Sequence, residues 1–204
     1  MSLIPGADMQ TAKHRQAGFS LIEVLVAIII LLIGFMGIAA LSLRANQVEF
    51  ESYQRAQALV LLDDMSQKLR ANQDAASCYY AYTAVGPSSG TSYLGTGSSV
   101  SGYSCVASGT VSVDAAAMAT QDVQDWDAQL DGLAVQGGAG AMIGARGCII
   151  NDASGVLIQV AWQAKTVTAA PPAGLSCGQN LYGDEKNRRV MARWVKIVNL
   201  TPAY

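Results

Sequence analysis

Glu23 is the one ionisable side chain in an apolar run that starts at Phe19 and ends at Arg44. A carboxylate in hydrocarbon costs about 2.5 to 3.5 kcal/mol on insertion scales, so it calls for a partner cation or a function. Lys13, His14 and Arg15 place positive charge just upstream. A second chemistry belongs to four cysteines, Cys78, Cys105, Cys148 and Cys177. An even number of thiols in an oxidising compartment reads as two disulfides, with three possible connectivities. Cys78–Cys105 and Cys148–Cys177 are favoured because each closes a loop of fewer than 30 residues. Each bridge is worth about 3 kcal/mol in the chain-entropy model. No pair has Cys-x-x-Cys spacing, so no metal site is expected.

Other catalytic arrangements lack parts. His14 is the single histidine, so no imidazole exists downstream for a Ser-His or Cys-His pair or for a metal ligand set. Gly137-Gly138-Ala139-Gly140 lacks the Lys-Ser/Thr ending of a phosphate loop and reads as a turn. Neither an enzyme nor a cofactor is expected. The net charge of −2 shows no broad basic footprint, so no direct nucleic-acid binding is expected.

The elements that carry these residues begin with a helix. From Val24 to Leu43 the chain has 20 residues without charge and with only Ser42 polar. At 1.5 Å per residue such a helix spans roughly 30 Å, a bilayer core. That length exceeds the apolar region of an ordinary secretory signal, and a buried core helix is rarely apolar on every face for so long. Lys13 and Arg15 before the span favour a cytoplasmic N-terminus, with everything after Arg44 outside.

Arg44 to Gln73 contains no Gly or Pro and continues the helix. Leu59, Leu62, Met65, Ser66 and Leu69 follow helical steps and predict one face docked on a sheet. Tyr79 to Gly109 turns to Ser, Gly, Thr and Tyr, which predicts loops and irregular strands. Its tyrosines, Tyr79, Tyr80, Tyr82, Tyr93 and Tyr103, read better as loop packing than as an exposed contact surface. Thr120 to Leu133 predicts a helix with Val123, Trp126, Leu130 and Leu133 inward. Asp122, Asp125, Asp127 and Asp131 then form a solvated acidic face, a better reading than a calcium site. Val156, Ile158, Val160 and Trp162 alternate with Leu157, Gln159, Ala161 and Gln163, predicting a strand with one buried face. Asn151 to Gly155 predicts the turn joining it to a strand that ends at Ile150, and Arg189 to Val198 predicts a last strand with Trp194 central. The fold class is α+β: a long helix, half anchor and half amphipathic, packed on a mainly antiparallel sheet.

Ala17-Gly18-Phe19-Ser20-Leu21-Ile22-Glu23-Val24-Leu25 resembles the processing site of type IV prepilins and of the pseudopilins of type II secretion. That resemblance implies cleavage by a prepilin peptidase between Gly18 and Phe19, followed by methylation of the new Phe19 amine. Glu23 would then meet a cationic amine four residues away, on its own chain or a neighbour's, and set filament register. It implies a pilin-like fold with a leader at 1–18, a long helix at 19–73 whose transmembrane half covers about 19–43, and a disulfide-containing head at 74–204. Farther along, Leu59 to Asn72, Trp126 to Leu130, Gly137 to Gly140 and Val156 to Gln163 look like the minor pilins called type IV pilus modification proteins, PilV. The resemblance implies a minor subunit that primes pilus assembly and supports twitching motility. Its partners would be the prepilin peptidase, other minor pilins, the major pilin, the inner-membrane assembly machinery and inner-membrane lipid. Its place would be the inner membrane, with the head in the periplasm, and then the filament. A minor pseudopilin, or an uncleaved single-pass anchor, is the alternative.

Overall fold

The computed structural model describes residues 18–81, 93–98, 100, 103–132, 142–152 and 154–197. It divides into two compact units, Met1–Asn46 and Gln47–Tyr204. Helix α1, Leu21–Ala71, contributes its first half to one unit and its second half to the other. Every described residue up to Glu49 is exposed. Among the described residues α1 is the one helix long and apolar enough to cross a membrane.

In the second unit a four-stranded antiparallel sheet has the order β1 (Leu94–Gly95), β2 (Arg146–Asp152), β3 (Gly155–Gln163) and β4 (Arg188–Val195). Two helices, α1 beyond Gln47 and α3 (Val113–Leu130), share a core with one face of this sheet. A short helix, α2 (Ala76–Ala81), follows α1 through a 3-10 turn at Gln73–Ala75. The result is an α+β, pilin-like architecture, with a long helix packed against an antiparallel sheet.

Several boundaries differ from those expected. Helix α3 begins seven residues before Thr120, because Ser112 caps it by accepting a hydrogen bond from the Ala115 N–H at 3.1 Å. Ala115, Ala116, Ala117 and Ala119 are strong helix formers, yet they give no apolar periodicity for a pattern search to find. Leu130 is its last helical residue; Gly132 follows with φ 75°, a left-handed stop, and the expected Leu133 lies outside the described residues. On α1 the buried face holds Gln54, Ala58, Leu61, Leu62, Met65, Ser66 and Leu69, while Leu59 is 45% exposed. Strand β2 runs on to Asp152, which pairs with Gly155, so Asn151 and Asp152 belong to the strand and not to the turn. β4 starts at Arg188 and ends at Val195, and Trp194 is 47% exposed. Gly137 to Gly140 and Tyr82 lie outside the described residues.

Strand β3 is buried on both faces, from Val156 to Trp162, where one face was expected. Val156, Ile158, Val160 and Trp162 meet the helices. The other face is covered by the segment between β3 and β4, tied down by the Cys148–Cys177 disulfide. Ala161, Tyr93, Tyr182 and both sulfurs' residues form a second small core there. Arg188 is almost fully buried and holds that cover in place, donating to the Leu175 carbonyl at 2.6 Å, to the Cys177 carbonyl at 3.0 Å and to Glu185. A solvated face would have needed none of this.

Candidate functional site

The N-terminal residues singled out above sit at the start of α1. Ser20 precedes the helix, and its carbonyl accepts from the N–H groups of Glu23 (3.0 Å) and Val24 (3.3 Å). Glu23 thus lies in the first turn, where a negative charge opposes the unpaired N–H dipoles of a helix start. Phe19 is 82% exposed and Glu23 is exposed too. A Cβ added at Gly18 would meet nothing within 4 Å. Among the described residues no packing therefore demands glycine at that position. Lys13, His14 and Arg15 lie outside the described residues.

The cysteines lie in the other unit and form two disulfides, Cys78–Cys105 and Cys148–Cys177, with Cα separations of 5.5 and 5.7 Å. The first fastens α2 to the strand-poor segment before α3. There the Cys105 N–H donates to Thr120 at 2.9 Å and the Tyr103 hydroxyl donates to the Cys78 carbonyl. The tyrosines of this region pack inward: Tyr79 and Tyr93 are buried, and Tyr80 and Tyr103 are partly buried against the core.

The acidic residues of α3 do not form a solvated face. Asp127 is buried and accepts from the Gly95 N–H at 2.6 Å and from Ser98 at 2.7 Å, so it ties β1 to the helix. Asp122 accepts from the Tyr79 hydroxyl at 2.6 Å and lies 3.8 Å from Lys68 of α1. Burial, and then the bond to Asp122, push the Tyr79 phenol far above its ordinary pKa. Burial and the neighbouring Asp127 charge push the Asp131 carboxyl up. Asp125 alone of the four is exposed; Asp122 and Asp131 are half-buried. Among the described residues no group of three or more His, Cys, Asp or Glu side chains is placed to hold a metal ion. The sequence carried no sign of these partners, because each is supplied by an element distant along the chain.

Comparison with known proteins bears on the first of these two sites. The family model for the prokaryotic N-terminal methylation motif matches residues 13–39, a stretch that includes Gly18, Phe19 and Glu23. The chain carries the N-terminal methylation motif. No curated protein and no solved structure matches it. The methylation motif, running directly into an apolar helix, supports a type IV pilin- or pseudopilin-type protein, processed by a prepilin peptidase and working with pilus or secretion machinery. Together with the pilin-like fold it points to a structural protein and not to an enzyme.

Proposed function

We propose that the chain is a minor pilin of the PilV kind, which joins other minor pilins and the major pilin to prime type IV pilus assembly and supports twitching motility. The observation that carries this reading is the methylation motif at 13–39, which from Leu21 onward coincides with the apolar start of α1. In this reading residues 1–18 are a leader cut by prepilin peptidase after Gly18, and the freed amine of Phe19 is methylated. The helix then occupies 19–73, its part at about 19–43 crossing the inner membrane once, and residues 74–204 form a periplasmic head later carried into the filament.

Exposed Phe19 and Glu23 fit that reading. Among the described residues neither side chain has a partner, and a newly made amine one turn from Glu23 would supply a cation. The absence of packing around Gly18 supports a requirement set by the peptidase.

Mass spectrometry of the mature N-terminus, on protein from a membrane fraction with active prepilin peptidase, tests the proposal. A chain beginning at N-methylated Phe19 is expected; an intact Met1 overturns it in favour of an uncleaved anchor. Deleting the gene and scoring surface pili against exoprotein release then separates a pilus subunit from a minor pseudopilin of type II secretion.

A further inference from the structure

Strand β2 presents a cation on the sheet face turned away from the helices. A Cβ added at Gly147 would overlap Trp126 and Leu130 of α3, and successive strand residues point to opposite faces, so Arg146 points the other way. There its guanidinium lies between two aromatic rings, 5.0 Å from the centroid of Tyr93 and 4.8 Å from that of Tyr182. Both rings are held in place. Tyr93 and Tyr182 are buried in the small core around the Cys148–Cys177 disulfide, and the Tyr182 hydroxyl donates to the Gly144 carbonyl at 2.8 Å. Nη1 of Arg146 donates to that same carbonyl at 3.3 Å.

This arginine lacks a counter-ion. Every acidic side chain of the sequence except Asp8 is among the described residues, and none of those forms an ion pair with Arg146. Arg188 and Arg193, by contrast, are paired with Glu185 and Asp63. Withdrawing a cation from water without an opposite charge is unfavourable, and stacking on neutral rings returns only about 0.5–2 kcal/mol. The withdrawal is also incomplete, because Arg146 is half-buried. Its Nε is buried without a partner. Beyond the two tyrosines Nη2 has no partner among the described residues, and unlike Nε it is not buried. Gly97 and Gly144, both at positive φ, stand beside Nη2 and Nη1 without side chains; a Cβ added there would lie 3.8 and 3.7 Å from these atoms. The tip of a clamped fork is thus open to solvent.

We propose that the Arg146 guanidinium, clamped between Tyr93 and Tyr182, is a binding site for a carboxylate. Its planar set of N–H groups matches the two oxygens of a carboxylate, and the flanking rings hold the fork ready, so little rotamer freedom is lost on binding. A single positive charge with neutral neighbours balances a monoanion. A phosphate dianion would keep charge in excess, since Arg188, the other cation acting on Tyr182, is already neutralised by Glu185. The carboxylate is that of a free small acid or of an Asp or Glu side chain on another polypeptide; both offer the fork the same group. This inference stands on the head alone and not on the processing reading.

The test uses the full-length, nitrogen-15-labelled protein in a non-ionic detergent. Acetate, inorganic phosphate and chloride are titrated at matched ionic strength, and NMR follows the Arg146 side-chain N–H groups and the backbone N–H groups of Gly97 and Gly144. Saturable shifts are expected with acetate, with binding of phosphate and chloride at least about tenfold weaker. Arg146→Lys keeps the charge but not the fork, and is expected to weaken acetate binding, read at Gly97 and Gly144, by about tenfold or more with an unchanged circular dichroism spectrum. An acetylated and amidated tripeptide with a central Glu separates the two sources: binding about tenfold tighter than acetate assigns a polypeptide carboxylate, and equal binding assigns a free acid. Protection of wild-type Arg146 from phenylglyoxal, located by mass spectrometry, needs no variant and is expected with acetate and not with chloride. Non-saturating shifts equal for all three anions, tighter binding of phosphate than of acetate, undiminished binding in a folded Arg146→Lys, or no protection by acetate each overturns the proposal and leaves Arg146 as a fastener of the disulfide-bound segment.

Discussion

The indole N–H of Trp126 on α3 donates to the backbone carbonyl of Leu61 in the C-terminal part of α1, at 3.1 Å and buried. This bond ties together two helices that share no local sequence, within the unit that begins at Gln47. On its other side the ring lies over β2 at Gly147, where an added Cβ would overlap the indole and Leu130.

Trp126→Phe keeps an aromatic ring but leaves that geometry without its donor, and is expected to lower head stability by about 1–3 kcal/mol. Trp126→Ala is expected to cost about 3–5 kcal/mol through the cavity it leaves. Gly147→Ala tests the same contact from the sheet side and should be destabilising by about 1–3 kcal/mol through overpacking. Denaturant unfolding followed by circular dichroism reads all three.

Asp63 makes an ion pair with Arg193 and also accepts from Gln67 at 2.6 Å. Hydrogen bonds from Arg193, then from Gln67, hold its carboxyl below the ordinary value of 3.8. A depressed folded-state pKa stabilises the folded chain above the unfolded value, and that contribution disappears as pH falls through the folded value. The wild type should therefore lose part of its stability below about pH 4, and Asp63→Asn should lose that part of the pH dependence. Melting temperature measured against pH checks this, and added salt should shrink the difference because the pair is solvent-exposed.

Gln54 is fully buried on α1, and neither amide atom has a hydrogen-bond partner among the described residues. An unsatisfied buried amide costs about 1–3 kcal/mol. Gln54→Met keeps the volume and removes the polar atoms, so it is expected to raise head stability by about 1–2 kcal/mol. Thermal unfolding of the two proteins side by side would show the gain, and a destabilised variant would reveal a partner for the amide.

Glu23→Ala removes the charge from the apolar helix and is expected to leave membrane insertion and leader cleavage intact. Loss of an ion pair in low dielectric is worth about 3 kcal/mol or more, so incorporation into filaments should fall by more than about tenfold. Quantitative immunoblotting of sheared filaments against membrane fractions measures the ratio. Normal incorporation would remove Glu23 from the assembly role.

The sequence alone determined the features that are local or covalent. The methylation motif, the charge at Glu23, the uninterrupted helix through Leu69 and the small disulfide loops all depend on neighbours within a few turns or on chain spacing. The β2–β3 hairpin was legible for the same reason, since Gly155 and the alternation after Val156 are short-range signals. Tertiary structure decided which faces are inside. Leu59 and Leu61 are both leucines on one helix, and only the position of Trp126 and the sheet decides that Leu61 is covered and Leu59 is not. Asp122 and Asp127 look like surface acids until Tyr79, Gly95 and Ser98 arrive from elsewhere as donors. The second face of β3 is dry only because Cys177 and Arg188 hold a distant segment across it. Periodicity reports that a face is apolar or polar, but burial is a sum over long-range contacts, which a one-dimensional pattern does not contain.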